Sequence, residues 1–300
     1  MSGNPATAEM DLAGLLHGGA RVLVVAPHPD DETLATGGLL QRAAQVGAAL
    51  RVLLLTDGDN NPWPQRWLER RWSIDAAARR RWGERRRGES IRALSGIGLA
   101  ADTIHALGWP DLGITARLVD DTAAAVASMA AAIADFRPTL LVRPALSDRH
   151  PDHGSAHVLV ELALHDVAER PYCLDYLVHG APPAGRSAVL HLAPQEVDAK
   201  RTAILAYATQ VSLSRGRLLA LATDAERYFE HDAMTPMPGL PLIPWPLSRA
   251  VEWLFVNSSH GWRVSDPVST PTPDDALYAK PCSRLPSPWI FDHWGWYRLR

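Results

Sequence analysis

The 300-residue chain is poor in cysteine. Cys173 and Cys282 allow one disulfide at most, so a disulfide framework is excluded as the basis of its fold and a reducing compartment suits it. Long apolar runs are also missing: nothing approaches the roughly 18 uninterrupted residues of a membrane span. The first residues lack a basic segment followed by an apolar one, so the sequence reads as cytoplasmic, with no transmembrane segment. Charge of one sign is scarce, since 30 basic against 33 acidic residues leave a net charge of -3, too even for nucleic acid to be an expected partner. Hydrophobic residues at 47% and charged residues at 21% exclude disorder, collagen and coiled coil as the dominant state. What is plentiful is histidine, with 12, and tryptophan, with 11.

The strand signals are continuous apolar runs. One covers 22–26, is followed by a loop with Pro27 and Pro29, and leads to helical spacing over 33–46 at Leu34, Leu39, Leu40 and Ala43; a second run covers 50–55. A later unit repeats the pattern: a helix over 122–136, a strand at 140–142, a loop to His153 and a helix over 155–168. Continuous rather than alternating strands suit a parallel sheet covered on both faces, which predicts an α/β, Rossmann-like, mostly parallel sheet with helices on both sides. Beyond Asp232 the chain becomes Pro- and Trp-rich, so 1–232 is expected to form the principal domain and 233–300 a C-terminal extension packed on it, with one short helix over 247–256.

In a doubly wound sheet the first strand-to-helix turn usually cradles phosphate with glycines and backbone N–H groups. Here the turn reads Pro27-His28-Pro29-Asp30-Asp31-Glu32, and Gly37 and Gly38 come too late. Carboxylates at that point repel a pyrophosphate and attract a divalent cation. A histidine with a carboxylate three residues on is half of a nitrogen–oxygen metal site of the type zinc accepts. The predicted other half is the loop after 140–142, Ser147-Asp148-Arg149-His150-Pro151-Asp152-His153-Gly154, whose histidines would face the same crevice.

These segments resemble the PIG-L/LmbE family of zinc-dependent N-acetylglucosaminyl deacetylases. The resemblance includes His28-Pro29-Asp30-Asp31-Glu32 and His150-Pro151-Asp152-His153. It extends to Arg86-x-x-Glu89 with Ala93 and Ile97-Gly98, to Leu107-Gly108-Trp109-Pro110-Asp111, and to Lys200 followed by Tyr207-Ala208-Thr209-Gln210. It covers about 22–210 in order, and the tail from Ala233 has no counterpart. The resemblance implies that His28, Asp31 and His153 hold zinc, with Fe²⁺ or another divalent ion also suited to such ligands. It makes Asp30 the general base, and His150 the general acid or the partner of the developing oxyanion. Arg86 and Asp111 become substrate-binding groups and Tyr207 a second oxyanion contact.

The implied reaction is hydrolysis of an N-acetyl amide on an N-acetylglucosamine-type sugar, in a small-molecule or lipid-linked glycoconjugate. Two alternatives stand beside it: an amidase for another sugar or thiol conjugate, and a Rossmann-like ligand-binding module without catalysis. Oligomeric state is not legible. Glu32 and Asp152 read as carboxylates that orient a ligand or cap a helix. His157, four residues after His153, reads either as a fourth ligand or as a packing histidine. His17, His105, His165, His179, His191, His231, His260 and His293 have no partners at ligand spacing and read as structural or surface residues. Arg86 shares a helical stripe with Ala93 and Ile97, whereas Arg87 shares spacing with Ile91 and Leu94, so periodicity alone does not choose between them.

Between Asp57 and Arg86, Trp63, Trp67, Trp72 and Trp82 are interleaved with arginines. Tryptophan faces stack on the apolar faces of sugars and arginine binds carboxylate or phosphate, so this stretch, Trp63 first, is a candidate substrate rim for an anionic glycoconjugate. Packing of the rings as a helical insertion and adsorption to a membrane surface are the other two readings.

Overall fold

The computed structural model describes residues 12–180 and 187–230, with the backbone of three short strands beyond them. Strand β1 (Arg21–Ala26) is followed by α1 (Asp31–Gln45), β2 (Ala49–Thr56), α2 (Pro62–Glu69), α3 (Ala76–Gly96) and β3 (Ile104–Trp109). Next come α4 (Ile114–Asp120), α5 (Thr122–Phe136), β4 (Leu140–Pro144), α6 (Pro151–His165) and β5 (Tyr172–Tyr176). The run closes with β6 (Ser187–His191), α7 (Pro194–Leu205), α8 (Ala208–Leu219) and β7 (Ala225–Glu230). These strands form one sheet in the order β3-β2-β1-β4-β5-β7-β6; the first five are parallel and the last two pair antiparallel. The predicted Rossmann-like, mostly parallel sheet is thus the observed one. In the 233–300 stretch, β8 (Pro267–Val268), β9 (Tyr278–Ala279) and β10 (Trp296–Arg298) pair in a separate antiparallel sheet, and the helix expected over 247–256 lies outside the described residues.

The continuous apolar strands follow from burial on both faces. Val22, Val24 and Ala26 of β1 point into one core with Leu39 and Leu40 of α1 and Ala93 and Leu94 of α3. Leu23 and Val25 point into the other, against Ile114, Leu118, Met129, Ile133 and Leu159 from α4, α5 and α6. Each such side chain contributes about 1.5–3 kcal/mol when fully buried, so neither face of β1 tolerates a polar residue.

Two helices begin earlier than periodicity predicts. Helix α1 starts at Asp31 rather than near 33, and α6 starts at Pro151 rather than near 155, so His153 lies in the first turn of a helix and not in the preceding loop. Apolar spacing registers only where a helix meets the core, whereas the first turn here is polar. Pro151 at the first helical position and His150 as N-cap, its Nδ1 accepting from the Asp152 N–H at 3.2 Å, set the true start of α6.

Far from the strand ends, Lys200 of α7 is buried and its Nζ lies 2.6 Å from Glu226 of β7. The same carboxylate accepts the N–H groups of Gly38 and Leu39 in α1. At Gly38 a Cβ would lie 2.4 Å from Leu192 Cδ2, so a larger residue would displace that leucine.

Candidate metal centre and active site

Strands β1 and β4 are neighbours, but the helix after one packs on one sheet face and the helix after the other on the opposite face. Their carboxyl ends therefore open on a crevice at the point where strand order reverses, the usual ligand site of an open α/β sheet. The turn after β1 brings His28, Asp30 and Asp31 there; the end of β4 and the start of α6 bring His150 and His153. The His28 ring packs edge-on to His150 at 4.6 Å between centroids and stacks with His153 at 5.4 Å. Asp31 Oδ2 lies 3.2 Å from His28 Nδ1 and 3.1 Å from His153 Nε2. The expected pair of clusters thus becomes one.

Around this centre stand further carboxylates. Asp111 Oδ1 and Asp152 Oδ2 each lie 3.2 Å from His28 Nε2, and Asp148 Oδ2 lies 3.2 Å from His153 Nδ1. Asp152 also accepts the Ile114 N–H, and Asp148 accepts those of His150, Val178 and His179. Asp152 thus lies against a cluster histidine, and with His28 and Asp111 it forms a group able to hold a metal ion. Asp111 also faces His28, so the structure sets it against a candidate ligand. Burial disfavours a proton on either ring, yet Asp148 and Asp31 hold His153 up to about 10, while Asp111, Asp152 and Asp31 hold His28 well above the imidazole range. Asp148 is correspondingly held down to about 2 by His153, against its own burial.

The carboxylates of Asp31, Asp111, Asp148 and Asp152 favour positive charge at this centre, which a divalent cation would supply. His153 is completely buried, and neither of its ring nitrogens is aligned for a hydrogen bond although carboxylate oxygens lie beside both. At His153, nitrogens that lie beside carboxylate oxygens without hydrogen-bond alignment suit ligation of a shared ion. Imidazole and carboxylate are the ligand types of zinc and of Fe²⁺. The residues therefore fit a divalent metal.

Asp30 precedes a candidate ligand and is not itself among the groups able to hold a metal; its Oδ2 lies 3.6 Å from Arg86 Nη2. Burial pushes its carboxyl up to about 7, against the pull of that guanidinium. Arg86 is buried and donates to the carbonyls of Pro29 at 2.8 Å and Gly58 at 3.1 Å, whereas Arg87 is the half-exposed partner of Asp57. Tertiary structure makes the choice that periodicity leaves open. Gly58 has φ of 64°, and a Cβ there would come within 2.0 Å of Arg86 Nη1, so glycine is what lets the guanidinium reach the turn.

His150 accepts a hydrogen bond at Nδ1, and burial with the neighbouring charges of His28 and His153 holds its pKa well below the usual range. With Nδ1 accepting, the neutral form of this ring carries its proton on Nε2. His157 turns away, its Nδ1 lying 2.9 Å from the Pro144 carbonyl, so the packing reading applies rather than a fourth ligand. Tyr207 is 1% exposed; its hydroxyl donates to Glu32 and lies beside Thr33, so it reaches no open part of the site.

His179 corrects its reading as a structural or surface residue. Its ring centroid lies 5.2 Å from His153 and 5.7 Å from His150, and it forms with Asp31 and His153 a group able to hold a metal ion. Its one sequence signal is position, three residues beyond the end of β5, the strand beside β4.

At the rim, Asn61 caps α2 by accepting the Trp63 N–H and donates its own N–H to Asp111 Oδ2 at 3.3 Å, which ties the start of α2 to the site. Trp63 is 47% exposed, Trp67 73% and Trp72 84%, while Trp82 is buried. Packing accounts only for the last of them. No helix among the described residues is long and apolar enough to cross a membrane.

Residues 23–164 match the PIG-L family model, described as GlcNAc-PI de-N-acetylase. The chain is 32% identical over 170 residues to the 1D-myo-inositol 2-acetamido-2-deoxy-alpha-D-glucopyranoside deacetylase of Rhodococcus erythropolis, an alignment covering 51% of this chain and 55% of that one. With the enzyme of the same name from Mycobacteroides abscessus it shares 28% identity over 268 residues, covering 80% of this chain and 93% of the other. Apart from such longer alignments, the chain spans about half the length of the curated relatives it matches. Among solved structures, a conserved protein from Thermus thermophilus superposes with a TM-score of 0.53 at 27% identity, covering 75% of this chain and 98% of that one. Sheet order and these matches agree: over residues 23–164 the chain is similar to the PIG-L family.

Proposed function

We propose that the protein is a metal-dependent deacetylase that hydrolyses the N-acetyl amide of an N-acetylglucosamine-type sugar. The observation that carries this reading is the convergence of His28, Asp31 and His153 on one point, with the carboxyl of Asp30 buried beside them and pushed up to about 7 by that burial. Relatives named as deacetylases of an acetamido sugar support the substrate class. His28, Asp31 and His153 hold the divalent metal, zinc in the first instance. When bound, the metal supplies Lewis acidity that polarises the acetyl carbonyl and makes water nucleophilic near neutral pH.

The chain's own residues do the remainder. Asp30 accepts the proton of the attacking water, for which a pKa near the working pH is the efficient choice, and holds it for the departing amine. His150, neutral with its proton on Nε2, donates a hydrogen bond to the carbonyl oxygen as charge develops there, an interaction that strengthens in the transition state. Asp111 and Asp148 fix the rings of His28 and His153. Arg86 braces the turn that carries Asp30. Trp63, at the entrance, offers a face on which a sugar or its aglycone stacks, whether that aglycone is small or lipid-linked.

The test is release of acetate together with free amine from a panel of N-acetylglucosamine glycosides, using protein loaded with Zn²⁺ or Fe²⁺ and protein stripped by chelator. Activity with either ion, lost on stripping and regained on reloading, is the expected result. Metal-loaded protein that releases no acetate from any acetamido sugar would overturn the reading.

A further inference from the structure

The backbone of Asp30 has φ of 129° and ψ of −30°, the most extreme of the four non-glycine residues with positive φ among the described residues. Such a conformation costs about 1–3 kcal/mol and persists only where its surroundings enforce it. The Asp30 N–H donates to Glu32 Oε2 at 3.0 Å, its carbonyl accepts from Thr33 and Leu34, and the preceding Pro29 carbonyl is held by Arg86. Glu32 is completely buried and is itself held: Tyr207 donates its hydroxyl proton to Glu32 Oε1 at 2.7 Å, and Thr33 Oγ1 lies 2.7 Å from the same hydroxyl. Tyr207 caps α8, 175 positions along the chain from Glu32. It has one proton, already donated to a carboxylate, so it has none for an oxyanion.

We propose that Tyr207 and Glu32 act as a pair of positioning residues for Asp30, with the tyrosine fixing the glutamate and the glutamate fixing the strained Asp30 peptide so that its carboxylate faces the reacting centre. This rests on the reading of Asp30 as the base. The pair explains why the buried carboxylate of Glu32 is neither placed as a ligand nor paired with a basic side chain: both of its oxygens accept hydrogen bonds that converge on one turn. Release of the clamp lets the peptide relax toward negative φ and turns the Asp30 side chain. A displacement of about 1 Å at a catalytic group costs roughly 10²-fold in rate.

The experiment uses the metal-loaded full chain and its best acetamido-sugar substrate. Tyr207→Phe and Glu32→Leu should each lower kcat by about tenfold to a hundredfold with KM and metal content held, and the double variant should be no slower than Glu32→Leu alone, because both break one chain of contacts. Glu32→Gln should restore most of kcat, since its amide oxygen still accepts from the Asp30 N–H. Hydrogen exchange at the Asp30 amide should accelerate in Glu32→Leu, and to a smaller extent in Tyr207→Phe. Multiplicative losses in the double variant would make Tyr207 an independent contact to the substrate, and a Gln variant as slow as the Leu variant would make Glu32 a proton carrier; either result overturns the proposal. If the wild-type protein releases no acetate, it is the activity reading that fails. The exchange measurement then still decides the clamp, with unchanged protection of Asp30 counting against it. Tyr207→Phe removes a single oxygen and provides that measurement even if Glu32→Leu does not fold.

Discussion

Asp30 and Asp31 are chemically identical neighbours with opposite environments, and the difference lies in what each faces. Asp31 lies between His28 and His153, which hold its carboxyl well below the usual range despite burial; Asp30 faces the single guanidinium of Arg86 and is pushed up to about 7 by burial. Replacement of Asp30 by Asn should therefore lower kcat by about 10²–10⁴-fold, the range for a lost general base, while elemental analysis still finds the metal. His153→Ala should do the reverse and lose the metal, read in the same analysis. These two residues were legible because each lies in a compact motif of histidine and carboxylate. His179 was not, since what makes it part of the site is proximity between the ends of β4 and β5, which no local spacing encodes; Asp148 lies in the same loop as His153, but its contact with that ring is set by the fold of the loop.

At the scale of elements, position is set by turns more than by helices. Arg86 belongs to an arginine-rich stretch of α3 whose periodicity does not distinguish it from Arg87; the turn at Gly58, pressed against its guanidinium, makes the distinction. Gly58→Ala should cost about 1–2 kcal/mol from the left-handed backbone alone, seen as a lower denaturation midpoint, and should slow turnover as Arg86 is displaced from Pro29 and Asp30. The helix starts show the same division of labour: the apolar spacing of α1 and α6 finds their cores but not their first turns, where Asp31 and His153 lie. Helix α2 presents Trp63 and Trp67 on its exposed face. Changing both to alanine should raise KM by up to about thirtyfold for glycosides with bulky aglycones, consistent with roughly 1 kcal/mol of stacking per ring. An unaltered KM on those substrates would remove the pair from the substrate rim.

At the scale of the molecule, buried polar clusters join elements that are distant in sequence. One is the candidate metal centre. A site of carboxylates and histidines should gain stability on loading, by about 2.7 kcal/mol at a hundredfold excess over the dissociation constant. Thermal unfolding with and without added Zn²⁺ measures this, and a midpoint that does not move would count against the centre. Another is Lys200–Glu226, through which α7, β7 and the glycine pair of α1 are held together. Lys200→Met leaves a buried carboxylate without its cation and should destabilise by about 3–5 kcal/mol in denaturant titration.

The sequence by itself determined the parallel sheet, because strands buried on both faces must be apolar at every position. It also determined the type of chemistry, because histidines and carboxylates replace the glycines of a phosphate cradle. Tertiary structure alone decided which charged residues share the site. Burial raises Asp30, Arg86 rather than Arg87 turns inward, His179 joins the cluster and Tyr207 supports a glutamate behind the reacting centre. Each of these depends on neighbours brought from remote parts of the chain, and on the removal of water that makes such neighbours count.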